Sequence, residues 1–154
     1  MQDDVSVRNA EPRDARTIAG FNIAMARETE KRQLSPEIVS AGVEAVFKNP
    51  QLGFYVIAEN ANEIAGSLMV TTEWSDWRNG VYWWIQSVYV KPKLRRQGIY
   101  RKLYEYVKAR AAEAGNVCGF RLYVKRENAS AQKTYQALGM NETHYKMYEE
   151  LFCI

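Results

Sequence analysis

Six segments of the chain are short, rich in β-branched or aromatic residues and bounded by turn residues, a pattern that predicts β-strands. They are Val5–Asn9, Gly53–Glu59, Ile64–Thr72, Gly80–Val90, Gly119–Val124 and His144–Glu150. The segment Gly80–Val90 is nearly uncharged, so we expect a central strand that is buried on both faces. The second and third segments predict a hairpin, because only the turn Asn60–Glu63 separates them.

Four segments between these strands carry an apolar stripe at helical spacing and predict α-helices. They run from Glu11 to Glu30, from Pro36 to Asn49, from Ile99 to Ala114 and from Asn128 to Leu138. Ser35 and Asn128 have the side chains that N-cap positions favour, and Gly115 suits a C-cap. Because strands and helices alternate along the chain, the predicted fold class is α/β, with a mixed three-layer arrangement of helices, sheet and helices.

The length of 154 residues suits one domain, so we expect a single domain over residues 1–154. The longest uncharged stretch, Asn79–Val90, has twelve residues, whereas a membrane helix needs about 20. The acidic N-terminus has no secretory signal pattern. Cys118, Cys153 and the single histidine have no zinc-ligand spacing. We therefore expect a reduced, cytoplasmic protein without a metal ion and without a membrane partner.

The positive charge is concentrated in one segment. Residues 91–102 contain six of the 21 basic residues and no acidic residue, which leaves 15 basic against 18 acidic residues elsewhere, a net charge of −3. The segment joins a predicted buried strand to a predicted helix through a turn that contains Gly98. Helix N-termini bind phosphate oxygens through unpaired N–H groups, so this turn is a candidate anion site.

Two motifs together resemble the GNAT superfamily of N-acetyltransferases. The first family motif, Gln/Arg-x-x-Gly-x-Gly/Ala after a central strand, corresponds to Arg95-Arg96-Gln97-Gly98-Ile99-Tyr100. The second corresponds to Asn128, Ala131, Tyr135 and Leu138-Gly139-Met140. The resemblance covers essentially the whole chain, and the aromatic run Trp83–Val90 looks most like a diamine-acetyltransferase-like branch.

The resemblance implies a central, mostly antiparallel mixed sheet, in which a splayed pair of strands binds the cosubstrate acetyl-CoA. Exposed backbone of Val88, Tyr89 and Val90 would hold the pantetheine arm, and the Val88 N–H would polarise the thioester carbonyl as a catalytic group. Tyr135 would be the general acid for the CoA sulfur, and Asn128 would contact the pantetheine. The pyrophosphate would bind the turn formed by Arg95, Arg96, Gln97, Gly98, Ile99, Tyr100 and Arg101.

Two residues depart from the family pattern. Tyr100 replaces a small residue, so its side chain must point away from the pyrophosphate. Gln86 stands where diamine-acetylating relatives tend to have a glutamate, and it cannot accept a proton. The candidate substrate-binding residues are Glu28, Glu30, Glu73, Trp84 and Gln86. The three glutamates are also candidate bases, with the lone histidine, His144, a weaker one, while Trp74 and Trp77 either line an acceptor pocket or pack in the core.

The expected function is transfer of an acetyl group from acetyl-CoA to a primary amine, directly within a ternary complex. The acceptor amine and a second copy of the chain in a homodimer are the expected partners. One alternative is a non-catalytic acyl-CoA-binding regulator on the same fold, which Gln86 favours and Tyr135 disfavours. Another is a nucleic-acid-binding domain that uses the cluster at 91–102, which the acidic remainder of the chain disfavours.

Overall fold

The structure, a computed structural model, describes residues 4–152. Its strands are β1 (Ser6–Asn9), β2 (Phe54–Glu59), β3 (Ile64–Ser75), β4 (Gly80–Val90) and β5 (Val117–Arg121). Its α-helices are α1 (Ala15–Glu30), α2 (Pro36–Lys48), α3 (Ile99–Ala114) and α4 (Ala129–Ala137).

The chain divides into two compact units between Tyr123 and Val124. The first unit holds the sheet and α1–α3, and the second holds α4; a single domain over the whole chain stays a prediction.

The five strands form one sheet whose spatial order follows the chain, β1-β2-β3-β4-β5. Neighbours are antiparallel from β1 to β4, and β5 is parallel to β4. A parallel neighbour requires a crossover connection, which α3 supplies. The predicted mixed, mostly antiparallel sheet is confirmed.

Helices cover both faces of this sheet. Tyr55 and Ile57 of β2 pack with Ile18 of α1 and Val43 of α2 in one apolar cluster. Side chains alternate along a strand, so Val56 of β2 points to the opposite face. There α3 contacts β1, β2 and β3. We call these the α1–α2 face and the α3 face, and they give the predicted three-layer arrangement.

A buried ion pair fixes the start of α1 to the sheet. Asp14 is only 3% exposed, and its carboxylate accepts hydrogen bonds from Arg8 of β1 at 2.8 and 3.1 Å and from the Glu11 N–H at 2.7 Å. Arg8 also donates to Glu59 of β2 at 2.7 Å. Burial alone would raise the pKa of Asp14, but the hydrogen bonds from Arg8 and Glu11 outweigh burial and lower it.

Capping explains where the other helices of the first unit begin and end. The Ser35 Oγ accepts from the Ile38 N–H at 3.4 Å, and Pro36 occupies the first turn of α2, as the sequence predicts. Gly115 has φ +81° and ends α3. No helix within residues 4–152 is long and apolar enough to cross a membrane.

Three elements differ from their predicted bounds by three residues or more at one end. The residues Pro12–Asp14 form a 3₁₀ turn, so α1 begins only at Ala15. β3 continues to Ser75, because its last residues pair with the beginning of β4. β5 covers Val117–Arg121 rather than Gly119–Val124, because its ladder to β4 begins at Val117 and ends at Arg121.

The predicted strand His144–Glu150 is wrong. Residues 141–152 are exposed and have no strand assignment. Alternating residues form a strand only where a neighbouring strand offers hydrogen-bond partners, and no ladder includes this segment in the described part of the chain. Cys118 is free and exposed, and Cys153 lies outside the described residues.

Candidate functional site

The pair β4 and β5 separates halfway along β4. The two strands pair only where Val81–Trp84 face Val117–Arg121. Beyond Trp84, β4 pairs with β3 alone, up to Val90. In the described part of the chain, the edge of residues 85–90 therefore has no strand beside it. Backbone groups of such an edge can bind an extended ligand.

A β-bulge lies within this open half of β4. Gln86 faces Met69 and Tyr89 faces Ser67, so two residues, Ser87 and Val88, oppose the single residue Leu68. Ser87 has φ +52°, which is uncommon for a residue other than glycine. Bulges occur next to active sites, where they re-aim backbone and side chains. The run Trp83–Val90 contains no glycine that would have marked this bulge.

The basic turn that follows β4 presents the start of α3. Gly98 is the N-cap with φ +80°, and no side chain caps the helix there. Arg96 also has a positive φ, +63°. Arg96 and Arg101 are exposed, and neither side chain makes a hydrogen bond or ion pair within residues 4–152. The turn thus combines unpaired helix N–H groups with two free positive charges.

Arg95 belongs to the same turn, but its side chain already has hydrogen-bond partners within the protein. Its guanidinium donates to Glu28 of α1 at 2.8 Å and to the Val90 carbonyl at 2.8 Å, and it lies 5.4 Å from the centre of the Tyr89 ring. Burial and then the Glu28 carboxylate raise the pKa of Tyr89. Arg95 therefore links α1, β4 and the turn.

Two other residues of the turn have local partners. The Tyr100 ring stacks on Tyr104 one helical turn further along α3, at 6.1 Å, and Tyr104 contacts Phe120 of β5. The Tyr100 side chain therefore packs along α3, and its orientation relative to a pyrophosphate stays a prediction. Gln97 donates to the Lys93 carbonyl at 3.3 Å, and Ile99 is buried.

The second unit holds the remaining motif residues. The Asn128 side chain accepts from the Ala131 N–H at 3.1 Å, so its predicted capping of α4 is confirmed. Tyr135 lies in α4 and is half-buried. Burial raises the pKa of its hydroxyl, which keeps the group protonated and able to donate a proton at neutral pH.

The candidate bases have different surroundings on the α1–α2 face of the sheet. Glu73 accepts from Trp84 Nε1 at 2.7 Å and from Arg121 at 2.9 Å, and these two hydrogen bonds lower its pKa. A carboxylate stabilised in this way is a weak base. Glu28 pairs with Arg95, as described above. Gln86 donates to the Thr71 Oγ at 2.6 Å.

Glu30 is the only one of the three candidate glutamates that lines a cavity on this face. The cavity has a volume of about 570 Å³, lies between α1, α2, β2 and β3, and reaches Ser87 of the bulge. Its polar lining includes Asn22 and Thr71, which sequence reasoning missed. Trp74 and Trp77 are 60% and 89% exposed and do not line it, and His144 is exposed in the second unit.

The site combines a strand pair that separates beyond Trp84, a bulge beside the gap and a basic turn that leads into α3. The chain belongs to the acetyltransferase (GNAT) family, whose model matches residues 18–140. Acyl transfer is therefore its class of activity. No group of histidine, cysteine and acidic residues that could hold a metal ion occurs in residues 4–152.

Solved structures share this fold over nearly the whole chain. A possible acetyltransferase from Clostridium difficile 630 is 40% identical, with a TM-score of 0.89, and the match covers 97% of this chain and 99% of that one. A predicted acetyltransferase from Clostridium acetobutylicum with acetyl-CoA is 17% identical, with a TM-score of 0.78, and covers 95% and 96%.

A third structure, AAC(6′)-Iy in complex with the bisubstrate analogue CoA-S-monomethyl-acetylneamine, is 16% identical, with a TM-score of 0.80 and coverage of 97% and 99%. At such low identity, this structure and the one from C. acetobutylicum show the shared fold alone. No significant match was found among curated proteins.

Proposed function

We propose that this protein transfers the acetyl group of acetyl-CoA to the nitrogen of a primary amine, with both substrates bound at once. The observation that carries the proposal is the open, bulged half of β4, which the basic turn connects to a helix start at Gly98 without a side-chain cap. The two low-identity structures described above, with acetyl-CoA and with a CoA-based bisubstrate analogue, support the choice of cosubstrate.

The residues of the basic turn fit a diphosphate. The first N–H groups of α3 have no side-chain cap, and Gly98 adds no Cβ at the point where phosphate oxygens would approach. Arg96 and Arg101 supply countercharge, whereas Arg95 orders the turn through Glu28 and Val90. The backbone of Val88, Tyr89 and Val90 would pair with the pantetheine arm, although Arg95 already occupies the Val90 carbonyl.

Bound acetyl-CoA supplies an activated acyl group and a thiolate leaving group. The Val88 N–H, next to the bulge residue Ser87, stabilises negative charge on the carbonyl oxygen as the amine nitrogen bonds to the acyl carbon. The carbon–sulfur bond breaks, and Tyr135 gives its proton to the sulfur. The amine gives up one proton to solvent or to a carboxylate, and Tyr135 regains a proton from solvent. Asn128 holds the start of the helix that carries Tyr135.

The experiment is amine-dependent release of CoA thiol from acetyl-CoA, with the acetylated amine identified by mass spectrometry. Release that requires an amine, together with an amide product, supports transfer. Tight binding of acetyl-CoA without release for any amine class would favour the non-catalytic regulator instead. Failure to bind acetyl-CoA would refute both functions.

We also propose that the protein is a homodimer. The segment 145–152 exposes apolar side chains by 62–89%, at Tyr145, Met147, Tyr148, Leu151 and Phe152. Within residues 4–152, β5 has one neighbour in the sheet, so each copy offers both an exposed apolar segment and an open strand edge. Light scattering should give twice the chain mass. Tyr148→Glu should shift the protein towards monomer, whereas Lys146→Glu should not.

A further inference from the structure

The cavity on the α1–α2 face ends beside the position where the reaction is proposed to occur. Ser87, the bulge residue with φ +52°, lines the cavity, and its neighbour is Val88. Thr71, which accepts from Gln86, also lines the cavity. An amine that enters the cavity can therefore approach the open half of β4. The volume of about 570 Å³ lies within the range of small-molecule sites, roughly 300–1,000 Å³.

Most of the cavity wall is apolar. Both helices and both strands contribute to it, with the side chains of Met25, Leu34, Val39, Leu52, Tyr55 and Met69 among them. Leu52 is 48% exposed although it is a large apolar residue, so the wall continues to the surface. Two methionines make such a wall adaptable in shape. Such a surface favours a ligand with an apolar body over a ligand whose body is polar and hydrated.

The charges at the cavity do not favour a polycation. Its charged lining residues are one acid, Glu30, and one base, Arg32. Glu28 and Glu73 do not line it, and each already pairs with an arginine, at 2.8 and 2.9 Å. A ligand with two or more ammonium groups would therefore lose hydration without gaining enough countercharge.

A polar group at the cavity is suited to a single nitrogen donor. Asn22 lines the cavity, and its amide oxygen is buried without a hydrogen-bond partner within residues 4–152. A buried acceptor in this state is costly, and a rotation of the amide towards a bound N–H donor would relieve the cost. Asn22 and the hydroxyl groups of Thr71 and Ser87 are neutral, which suits an amine that must lose a proton before it reacts.

We infer that this cavity is the acceptor site, and that its acceptors are primary amines with a single nitrogen on an apolar body rather than polyamines. The inference rests on the proposed acetyl transfer and specifies its substrate. The apolar body would lie against the walls from α1 and α2, with the amine directed towards Ser87 and Val88.

The first test compares two probes, 2-phenylethylamine and 1,4-diaminobutane. CoA thiol release should give a kcat/KM at least tenfold higher for 2-phenylethylamine, since apolar complementarity of one to a few methylene groups changes specificity by about 10–200-fold. Calorimetry in the presence of CoA should show binding of 2-phenylethylamine. A preference for the diamine, or neither binding nor acetylation of 2-phenylethylamine, would overturn the inference.

The second test fills the cavity without straining the fold. Gly42 lies in α2 and lines the cavity, and a Cβ added there would meet nothing within 4 Å. Gly42→Leu also removes a poor helix former, so the variant should fold. Gly20→Leu is the matched control: it lies in α1, has the same free space and does not line the cavity.

Gly42→Leu should lower kcat/KM for 2-phenylethylamine at least tenfold, mainly through KM, and leave acetyl-CoA affinity within about twofold. Gly20→Leu should match the wild type in both. Equal activity of the two variants would exclude this cavity as the acceptor site. If the wild type itself does not bind acetyl-CoA, the proposed function is refuted. Failure of the acceptor-site inference and failure of the proposed function are therefore distinguishable.

Discussion

The basic turn within residues 91–102 and the cavity on the α1–α2 face would bind their proposed ligands by different physical means. The turn offers backbone N–H groups at Gly98 and the start of α3, with free charges at Arg96 and Arg101. The cavity offers an apolar shape, assembled from residues of α1, α2, β2, β3 and β4. Backbone groups recognise any diphosphate, whereas a wall of side chains distinguishes one acceptor from another.

The comparison explains how one fold can serve many acceptors. The turn depends on a glycine and on charges within a few residues, so a short motif preserves it. The cavity depends on the sizes of side chains that are far apart in sequence, so single substitutions change its preference. Variants at the turn should therefore alter affinity for acetyl-CoA, and variants at the cavity should alter the choice of amine.

The largest effect is expected from the loss of the proposed general acid. Tyr135→Phe should slow single-turnover acetyl transfer by about 10²–10⁴-fold, because it removes a positioned general acid and keeps the ring. Acetyl-CoA affinity should change little, since the sulfur gains charge only during the reaction. Tyr145→Phe, an exposed tyrosine of the same unit, is the control. A Tyr135→Phe rate within about twofold of the wild type would remove the catalytic role.

The next largest effect should be specific to the turn. Gly98→Val should lower acetyl-CoA affinity at least roughly tenfold, because φ +80° disfavours a branched side chain and the turn must shift. Gly115→Val is the matched control, with φ +81° at the other end of α3 and the same free space. The free energy of unfolding, measured in urea, should fall by a similar amount in both variants. Equal acetyl-CoA affinity for the two variants would show that the turn is not the phosphate site.

A charge reversal should have a smaller effect. Arg96→Glu replaces a free cation with an anion at the proposed pyrophosphate site, and we expect acetyl-CoA affinity to fall about tenfold at low salt and less at high salt. Arg16→Glu makes the same charge change on an exposed position of α1. Calorimetry at two salt concentrations measures both. A similar loss for Arg16→Glu would mean that only net charge matters.

The smallest effect should come from the link between the two regions. Glu28→Gln breaks the ion pair that Glu28 of α1 forms with Arg95. The Glu28 side chain is 37% exposed and the Arg95 side chain is 43% exposed. Such pairs contribute about 0–1 kcal/mol, so the free energy of unfolding should fall by less than about 1 kcal/mol. Acetyl-CoA affinity should stay within about threefold, because the Val90 carbonyl still holds Arg95. A tenfold change would mean that this link controls the turn.

Local patterns were sufficient for most of the fold. The bounds of β4 agree with prediction because its aromatic, uncharged run has clear ends, and α2 begins as predicted because Ser35 and Pro36 define its start. The predicted strand at 144–150 was wrong because its alternating residues have no partner strand within residues 4–152. The extension of β3 to Ser75 was missed because it depends on pairing with β4.

The candidate site was predictable only where it is local in sequence. The motif located the turn with Gly98 as N-cap, and the asparagine signal located the cap of α4 at Asn128. The cavity was not predictable, because Asn22, Gly42 and Thr71 come together only through the packing of two helices on the sheet. The ion pair between Arg95 and Glu28 was not predictable for the same reason, because Glu28 lies 67 positions earlier.

The bulge in β4 also shifts the parity of the strand. Before it, even-numbered residues face α1 and α2, since Trp84 and Gln86 pair with Thr71 and Met69. After it the odd-numbered Tyr89 does so and packs on Phe21 of α1 at 5.0 Å. The extra residue therefore reverses the face of the sheet to which the following side chains point. Substitution of Ser87 should therefore be tolerated far better than its deletion, which would turn Tyr89 away from Arg95 and undo the link to the turn.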